Sequence, residues 1–561
     1  MAKEKLGIGG KKTVAEFGAS LPQSEIDKVE NNIAAASSSP DLASFWRKRF
    51  NESKASRQDI EADMVTGWLM ETGQQWAQWD SSARQVRELQ VAGNEPETLV
   101  VDNLSGMLVE KVASIVTSGA PDVAPVALSG SPLDRAATEE AKAMFAAEDV
   151  RQNRRNQRFN HVRWALVTGE GWILPRWNAT ALVPVAEMQG GQIASRKSAP
   201  LGAMSEEAVS GLEIFLDPLA PSVNESDYVI HATVKSVAWV RSLIGKETML
   251  RKGINPDAKA GGALSPAFLD HTEQLVAARS TAANEANAYS VLDCWALPKP
   301  GSMFPEGLRC VIVAGHVAYC GYWPYEKKDA YPFIPLAWKQ ILGSCRGRGL
   351  MAELAPLQVA YNRCLTDVIN YMENAVPTIL LPEGGDVTPG AYSIEHTKSL
   401  RVIVANLLGS GGVPPQWQNA PAVPGDIYRL KDWIWGDMQH RAGIHDPSLG
   451  TVSGDASGVS ISLLQQSDQT QHAPFLAAIE EAARHVREWE VALYSQFAAP
   501  WVPRIVGLDE KGNPAGDKFQ AVALRALTGG GQVGIHLAPG SAIATTPAAK
   551  EQKAQGWHDK G

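Results

Sequence analysis

PLAWKQILGSCRGRGLMAELAPLQVAYNRCLTDVINYMENAVPTILLPE, residues 335–383, is the stretch whose reading decides the fold. Leu350, Leu354, Leu357, Tyr361, Leu365, Ile369, Met372 and Val376 recur every three or four residues, the spacing that buries one face of a helix. The opposite face carries Glu353, Asn362, Arg363, Asp367, Asn370 and Glu373. Pro356 suits a first helical turn, where its missing N–H costs nothing, so the long helix is expected to start there after a short one. Val376 stands before Pro377 and is pushed out of helical geometry, which ends the rod after roughly 30 Å. Thr378-Ile379-Leu380-Leu381 then turns β-like.

Working outward, residues 386–425 are rich in Pro and Gly, with one strand pattern at Leu400–Val404. Asp426–Ala442 returns as a second helix, with Ile427, Leu430, Ile434 and Met438 as its apolar stripe and Gly443 as its C-terminal cap. Two helices of similar reach around a small β module predict an antiparallel pair carrying a tip. The next fourteen residues are small, weakly acidic and free of Lys and Arg: His445, Asp446, Pro447, Ser448, Leu449, Gly450, Thr451, Val452, Ser453, Gly454, Asp455, Ala456, Ser457 and Gly458. A loop of that length between long helices is a candidate moving part. Val459–Phe497 is expected as the longest helix, kinked at Pro474.

Upstream, Asp41–Trp79 reads as helix through Phe45, Trp46, Phe50, Ile60, Met64 and Trp68, closing on Glu71-Thr72-Gly73-Gln74-Gln75-Trp76. Further helices are expected at Val101–Thr117 and Asp134–Val167. The latter holds Arg151, Arg154, Arg155, Arg158 and Arg163, the densest basic cluster; it reads as a solvated face paired with acids, or else as a subunit or DNA contact. Residues 184–210 and 253–288 have loop composition. Strands are expected at Ile173–Trp177, Leu212–Pro218, Ser290–Leu297, Arg309–Ala314 and His316–Cys320, and Gln532–Leu537 beyond the Gly529-Gly530-Gly531 hinge.

Composition sets bounds. A chain of 561 residues has room for several domains, and its 44% apolar and 20% charged content is ordinary for globular protein. No run approaches the ~18 apolar residues of a membrane span, and MAKEKLGIGGKK lacks the apolar core of a signal peptide. Cys294, Cys310, Cys320, Cys345 and Cys364 are odd in number and never spaced C-x-x-C, which argues against a disulfide framework or zinc site and for a reducing compartment. The net charge of −9 is wrong for a protein that grips nucleic acid over a wide surface.

The order of these features resembles the portal proteins of tailed double-stranded DNA bacteriophages. The residues carrying the resemblance are the Gly343/Gly347/Gly349 turn, the L-x-x-L-x-P-L-Q-x-x-Y-N run at 350–362, Pro377-Thr378-Ile379-Leu380-Leu381-Pro382-Glu383-Gly384, Asp217-Pro218-Leu219-Ala220, and Ser457-Gly458-Val459-Ser460-Ile461 with Val where Ala is frequent. The resemblance implies an α+β, predominantly helical portal fold with wing, stem, clip and crown regions, assembled as a ring, usually of twelve copies. Mapped onto this chain it implies a flexible tail (1–40), wing (41–345), first stem helix (346–376), clip (377–424), second stem helix (425–444), tunnel loop (445–458), long kinked wing helix (459–499) and a short or truncated crown (500–561). The implied function is a head–tail connector channel at one capsid vertex for packaging and ejecting DNA. Implied partners are other copies of the chain, double-stranded DNA met without sequence readout, the terminase large subunit, major capsid and scaffolding proteins, and a head-completion or tail adaptor; no membrane and no cofactor is implied. Such a protein resides in the virion and, during assembly, in the host cytoplasm. Residues 445–458 would meet the DNA, and Arg429, Lys431, His440 and Arg441 on the second stem helix are candidate channel-facing cations, or salt-bridge partners between subunits.

Reactive chemistry is hard to find. The chain has no G-x-x-x-x-G-K-[ST] and no H-E-x-x-H, and Gly454-Asp455-Ala456-Ser457-Gly458 misses the nucleophile elbow by one position. Catalytic and metal sites are therefore expected to be absent. A different structural virion protein, a scaffold or tail component, is the alternative reading; a hydrolase using Ser457 is a more remote one.

Overall fold

The structure, a computed structural model, describes residues 41–80, 85–88, 99–189, 192–245, 249, 253–256, 288–302, 304–374, 378–382, 401–405, 416–418, 422–445, 468, 470–506 and 520–538. It contains both helices and strands, helix being the larger share.

The first helical run is broken. Helices α1 (Asp41–Ser56) and α2 (Gln58–Glu71) meet at Arg57. This arginine is buried, donates to the carbonyls of Gly211, Leu212 and Ile214 at 2.7–3.0 Å, and lies 3.7 Å from the Phe215 ring centroid. The helix expected to reach Trp79 ends at Glu71, where the Thr72 hydroxyl donates to the Trp68 carbonyl at 3.0 Å; Trp79 lies instead in β1 (Ala77–Asp80), paired with β2 (Gln85–Glu88).

Helix α3 (Leu104–Val116) is capped by Asn103, whose Oδ1 accepts from the Gly106 N–H at 3.0 Å. Strand β3 (Val123–Ala127) leads to α4 (Pro132–Arg151), begun by a Ser131 cap and a proline in the first turn. The expected single helix over 134–167 is two, because Asn153 adopts φ 48° before α5 (Arg154–Thr168).

Strands β4 (Glu170–Asn178), β5 (Leu182–Gln189), β6 (Gln192–Pro200) and β7 (Ala203–Ser210) follow. Residues 184–210 are thus not loop. Their polar composition hides eight β4–β7 pairs and an antiparallel β5–β6 hairpin, so cross-strand pairing overrides composition here. Strands β8 (Ile214–Leu216), β9 (Val229–Ser236), β10 (Ala288–Ala296), β11 (Leu308–Val313) and β12 (His316–Tyr322) form an antiparallel sheet in the order β12-β11-β10-β9-β8. One face is covered by Trp46 of α1, over Ile230, Cys294, Cys310 and Cys320; the other by α6 (Val237–Ile244), over Val291, Val311 and Ala318. Cys294 pairs in register with Cys310, and Cys310 with Cys320, so three free thiols form one buried row across the sheet.

Strand β13 (Ile334–Ala337) joins β4 and β7 in a second sheet, and the short pair β14 (Lys339–Gln340) and β15 (Gly347–Arg348) leads to α7 (Leu350–Asn374). The glycines here serve close packing. A Cβ on Gly347 would lie 2.4 Å from the Gly169 carbonyl oxygen, so the turn before α7 presses backbone to backbone on the end of α5. Then come β16 (Thr378–Pro382), β17 (Arg401–Ala405), β18 (Gln416–Gln418), α8 (Gly425–Ala442) and α9 (Ala473–Phe497). Within the described residues α9 is preceded by helical residues 468, 470 and 471, with a one-residue interruption at His472 just before Pro474 that the His472 N–H to Asp468 and Leu476 N–H to His472 backbone bonds bridge. Residues 459–467 of the expected long helix lie outside the described residues. Strands β19 (Arg504–Val506), β20 (Gln520–Val522) and β21 (Val533–Leu537), with the one-turn α10 (Arg525–Thr528), complete the described chain. β21 pairs with β3, returning the chain to the body near its start.

Besides the two clusters on the faces of the five-stranded sheet, two larger cores hold α9 and the rods. In one, Trp489, Leu493 and Tyr494 of α9 pack on Trp172 and Leu174 of β4 and on Trp295. In the other, α3 and α5 hold the bases of α7 and α8 through Leu108, Val112, Leu166, Leu354, Tyr361, Ile434 and Met438. His161 of α5 is fully buried; burial lowers its imidazole to about 4, a hydrogen bond with the Gly171 backbone opposing the shift. The unfolded chain, titrating near 6.5, binds that proton first, so stability should be lost as pH falls from about 6.5 to about 4, by roughly 3 kcal/mol in all. Urea unfolding of the parent and of His161→Leu at several pH values checks this: an unchanged acid slope in the variant would refute the assignment.

Candidate functional site: paired rods and the loop root

The two rods are α7, of 25 residues, and α8, of 18, about 37 and 27 Å long. Pro356 sits inside α7 and does not start it, correcting the expected boundary. Residues 350–355 are already helical because Leu350 and Leu354 are wholly buried on α3 and α5. Two contacts fix the relative direction of the rods. Near one end, Arg441 Nη1 of α8 donates to the Glu353 carbonyl of α7 at 3.4 Å; near the other, the Tyr371 hydroxyl of α7 donates to the Ala422 carbonyl just before α8 at 3.0 Å. The rods therefore run antiparallel.

The tip explains how the chain turns back. β16 leaves α7, β17 lies parallel to it, and β18 pairs antiparallel on its other edge, with Gln418 opposite Thr378. β18 thus brings the chain back to where β16 began, beside the start of α8. Strand β18 was not expected from the sequence.

One face of α7 departs from the sequence reading. Gln358, Asn362 and Thr366, four residues apart, are all buried, although Asn362 was expected on the polar face. They bind the backbone leading into α3 and its first turn: Thr366 Oγ1 accepts from Val100 N–H at 3.1 Å, Asn362 Oδ1 from Asp102 N–H at 3.2 Å, and Gln358 Oε1 from Ser105 N–H at 2.8 Å. Gln358 Nε2 donates to the Asp102 carbonyl at 2.6 Å, and Asn362 Nδ2 donates to Gln75 Oε1 at 2.6 Å. Gln75 Nε2 in turn donates to Asn103 Oδ1 at 2.7 Å. The uncharged polar stripe at spacing four was the available signal. Elsewhere the apolar stripes are incompletely covered: Met372, Tyr428, Leu430 and Trp433 are exposed, Trp433 at 65%. Leu430, expected in the α8 seam, is among them.

The four candidate cations do not form one stripe. At 100° per residue Arg429 and His440 share a face of α8, whereas Lys431 lies nearly opposite Arg429. Arg429 lies 3.9 Å from Asp426, Lys431 3.8 Å from Asp432, and Arg441 3.1 Å from Asp437, so these three meet acids of their own helix. Arg151, Arg154 and Arg163 are likewise ion-paired, with Glu148, with Glu206 and Glu490, and with Glu71.

Of the candidate loop, His445 is described; Asp446 through Gly458 lie outside the described residues. Its root is ordered by Asp468, a buried carboxylate that accepts from the His445 backbone N–H at 3.3 Å and pairs with His445 Nδ1. Gly443 ends α8 at φ 65°, and a Cβ there would lie 2.8 Å from Gln471 and 3.0 Å from His472, so the turn into the loop requires glycine. His472 packs on Trp338, and burial lowers its pKa. Asp468 and His472 lay outside the candidate set, and nothing local in sequence marks them.

Among the described residues, no group of three or more His, Cys, Asp or Glu could hold a metal ion, and no helix is long and apolar enough to cross a membrane. Antiparallel rods that carry a small sheet and stand on a mixed helix-and-strand body define a structural class of protein. Residues 308–541 match the family model described as the Phage P22-like portal protein. Over that stretch the chain is similar to phage portal proteins. No curated protein matches the chain.

Proposed function

We propose that copies of this chain close into a ring-shaped channel at one capsid vertex, through which double-stranded DNA is packaged and later ejected. The antiparallel pair α7 and α8, tipped by β16–β18, is the observation that carries this reading: it is a stiff strut with a docking end. The uncovered residues Trp433, Tyr428, Leu430 and Met372 suit burial against neighbouring copies, the same head-to-tail contact repeating until it closes. The strand tip offers surface to the terminase motor and afterwards to a head-completion or tail adaptor.

Residues 445–458 act as the tunnel loop in this reading, held at their first residue by the His445–Asp468 pair. With no Lys or Arg in that loop and a net charge of −9 on each chain, passing DNA meets a low-affinity surface and is not gripped. Of Arg429, Lys431, His440 and Arg441, the first and third share a face of α8 and would be the pair to touch phosphates, without base readout.

Electron micrographs of the purified protein test the ring directly, and filaments or monomers would reject it. Deleting Asp446–Asp455 should leave rings intact but lower the yield of DNA-filled heads. Normal filling by that variant would remove the loop from the mechanism.

A further inference from the structure

A charged cleft of about 310 Å³ opens in the body, where the end of β4 crosses the five-stranded sheet beside α6. A channel and docking role leaves it unused. On its floor Asp293 accepts from Arg309 Nε and Nη2, both at 3.0 Å, and lies 3.3 Å from Arg176 Nη2. Burial alone would raise the Asp293 carboxyl, but Arg309 and Arg176 outweigh it and hold the group below the usual range. Arg176 Nη2 also meets His231 Nδ1 at 3.1 Å, and His231 Nε2 lies 3.1 Å from Glu213 Oε2. A guanidinium can only donate and a carboxylate can only accept, so His231 carries its proton on Nε2 and presents Nδ1 as an acceptor.

The charges do not cancel within the cleft. One carboxylate, Asp293, serves both Arg309 and Arg176, and Lys235 adds a third cation. Among the described residues no carboxylate pairs with Lys235; its neighbour is the Trp239 ring, 5.9 Å away and partly exposed at the cleft wall. Excess positive charge beside an exposed indole, in a volume at the small end of the roughly 300–1,000 Å³ of ligand sites, suits an anion that carries a flat ring.

We propose that this cleft binds a small phosphorylated molecule of the nucleoside monophosphate class, its phosphate held by Arg176 and Lys235 and its ring laid against Trp239. With its Nη2 engaged by His231 and Asp293, the Arg176 guanidinium supplies charge and its other N–H groups, the ammonium a point charge, and the indole a stacking face that does not discriminate between bases.

Calorimetric titration of the full-length protein with adenosine monophosphate, inorganic phosphate and adenosine tests this. Adenosine monophosphate should saturate with a Kd of ~0.1–1 mM, and adenosine should not bind. Lys235→Gln should weaken the nucleotide about tenfold. Trp239→Ala should weaken it comparably while leaving phosphate binding unchanged. Both side chains lie at the surface edge of the fold, so neither variant is expected to unfold it. No saturation below ~10 mM, equal affinity for inorganic phosphate, or no loss in Lys235→Gln overturns the proposal.

Discussion

Asn362→Leu should cost the chain about 3–5 kcal/mol of unfolding free energy, more than any surface change on the same rod. Leucine fills a similar volume, but it leaves the half-buried Asp102 N–H and the buried Gln75 Oε1 and Gln358 Nε2 each short of a partner. Each orphaned buried group costs about 1–3 kcal/mol, and partial relaxation keeps the sum below the simple total. Neighbouring Arg363, which is exposed, serves as the control: Arg363→Ala should change stability by less than about 0.5 kcal/mol. Urea unfolding of both variants decides. A loss under ~1 kcal/mol for Asn362→Leu would mean the ladder is not satisfied as described. A Gln75→Ala partner mutation should show coupling, since both side chains belong to one network.

The second large effect is expected at Arg154. Its guanidinium meets Glu490 at 2.8 Å, Glu206 at 2.6 Å and Asp149 at 3.0 Å; Glu490 and Glu206 are both buried. Burial works against the Arg154 charge, yet Glu490, Glu206 and Asp149 raise its pKa above the ordinary value. Burial also raises the Glu490 and Glu206 carboxyls, which Arg154 only partly offsets. The arginine is therefore the firmly charged member, and the acids are held ionised by it at a cost. Arg154→Met leaves buried Glu206 without a cation and Glu490 with Arg487 alone, at 2.9 Å, and should cost about 3–5 kcal/mol near neutral pH. The sign of the pH dependence follows. In the variant these carboxyls, raised in the folded state, bind more protons folded than unfolded, so the deficit should shrink as pH falls toward 5 and grow as it rises. A deficit independent of pH would show that packing, not stranded charge, sets the cost.

How legible the molecule was in its sequence depended on where each element finds its partners. The rods declared themselves because an apolar residue every three or four positions needs only a flat apolar neighbour, and Gly443 marked the end of α8 by local geometry alone. Likewise β10–β12 alternate strongly enough to be read one by one. Gln358 and Asn362 were opaque, because what buries them is the backbone of residues 102–105, some 250 positions earlier in the chain. The β5–β7 strands were missed for a related reason: β7 is paired by β4, and β5 and β6 by each other, none of which the loop-like composition announces. In the candidate site the composition marked the loop itself, but not the carboxylate that ties its root. Asp468 acts through tertiary approach to His445, 23 residues away, which no local spacing announces.

The row Cys294–Cys310–Cys320 has a consequence for how the body answers oxidants. Burial pushes the Cys294 thiol well up, and a hydrogen bond with Cys320 together with burial does the same for Cys310, so the nucleophilic thiolate is nearly absent while the sheet is closed. The Cys294 and Cys310 sulfurs are thereby kept inert. Any reagent must wait for β10, β11 and β12 to part, so the rate at which these thiols are alkylated is a clock for the breathing of that sheet.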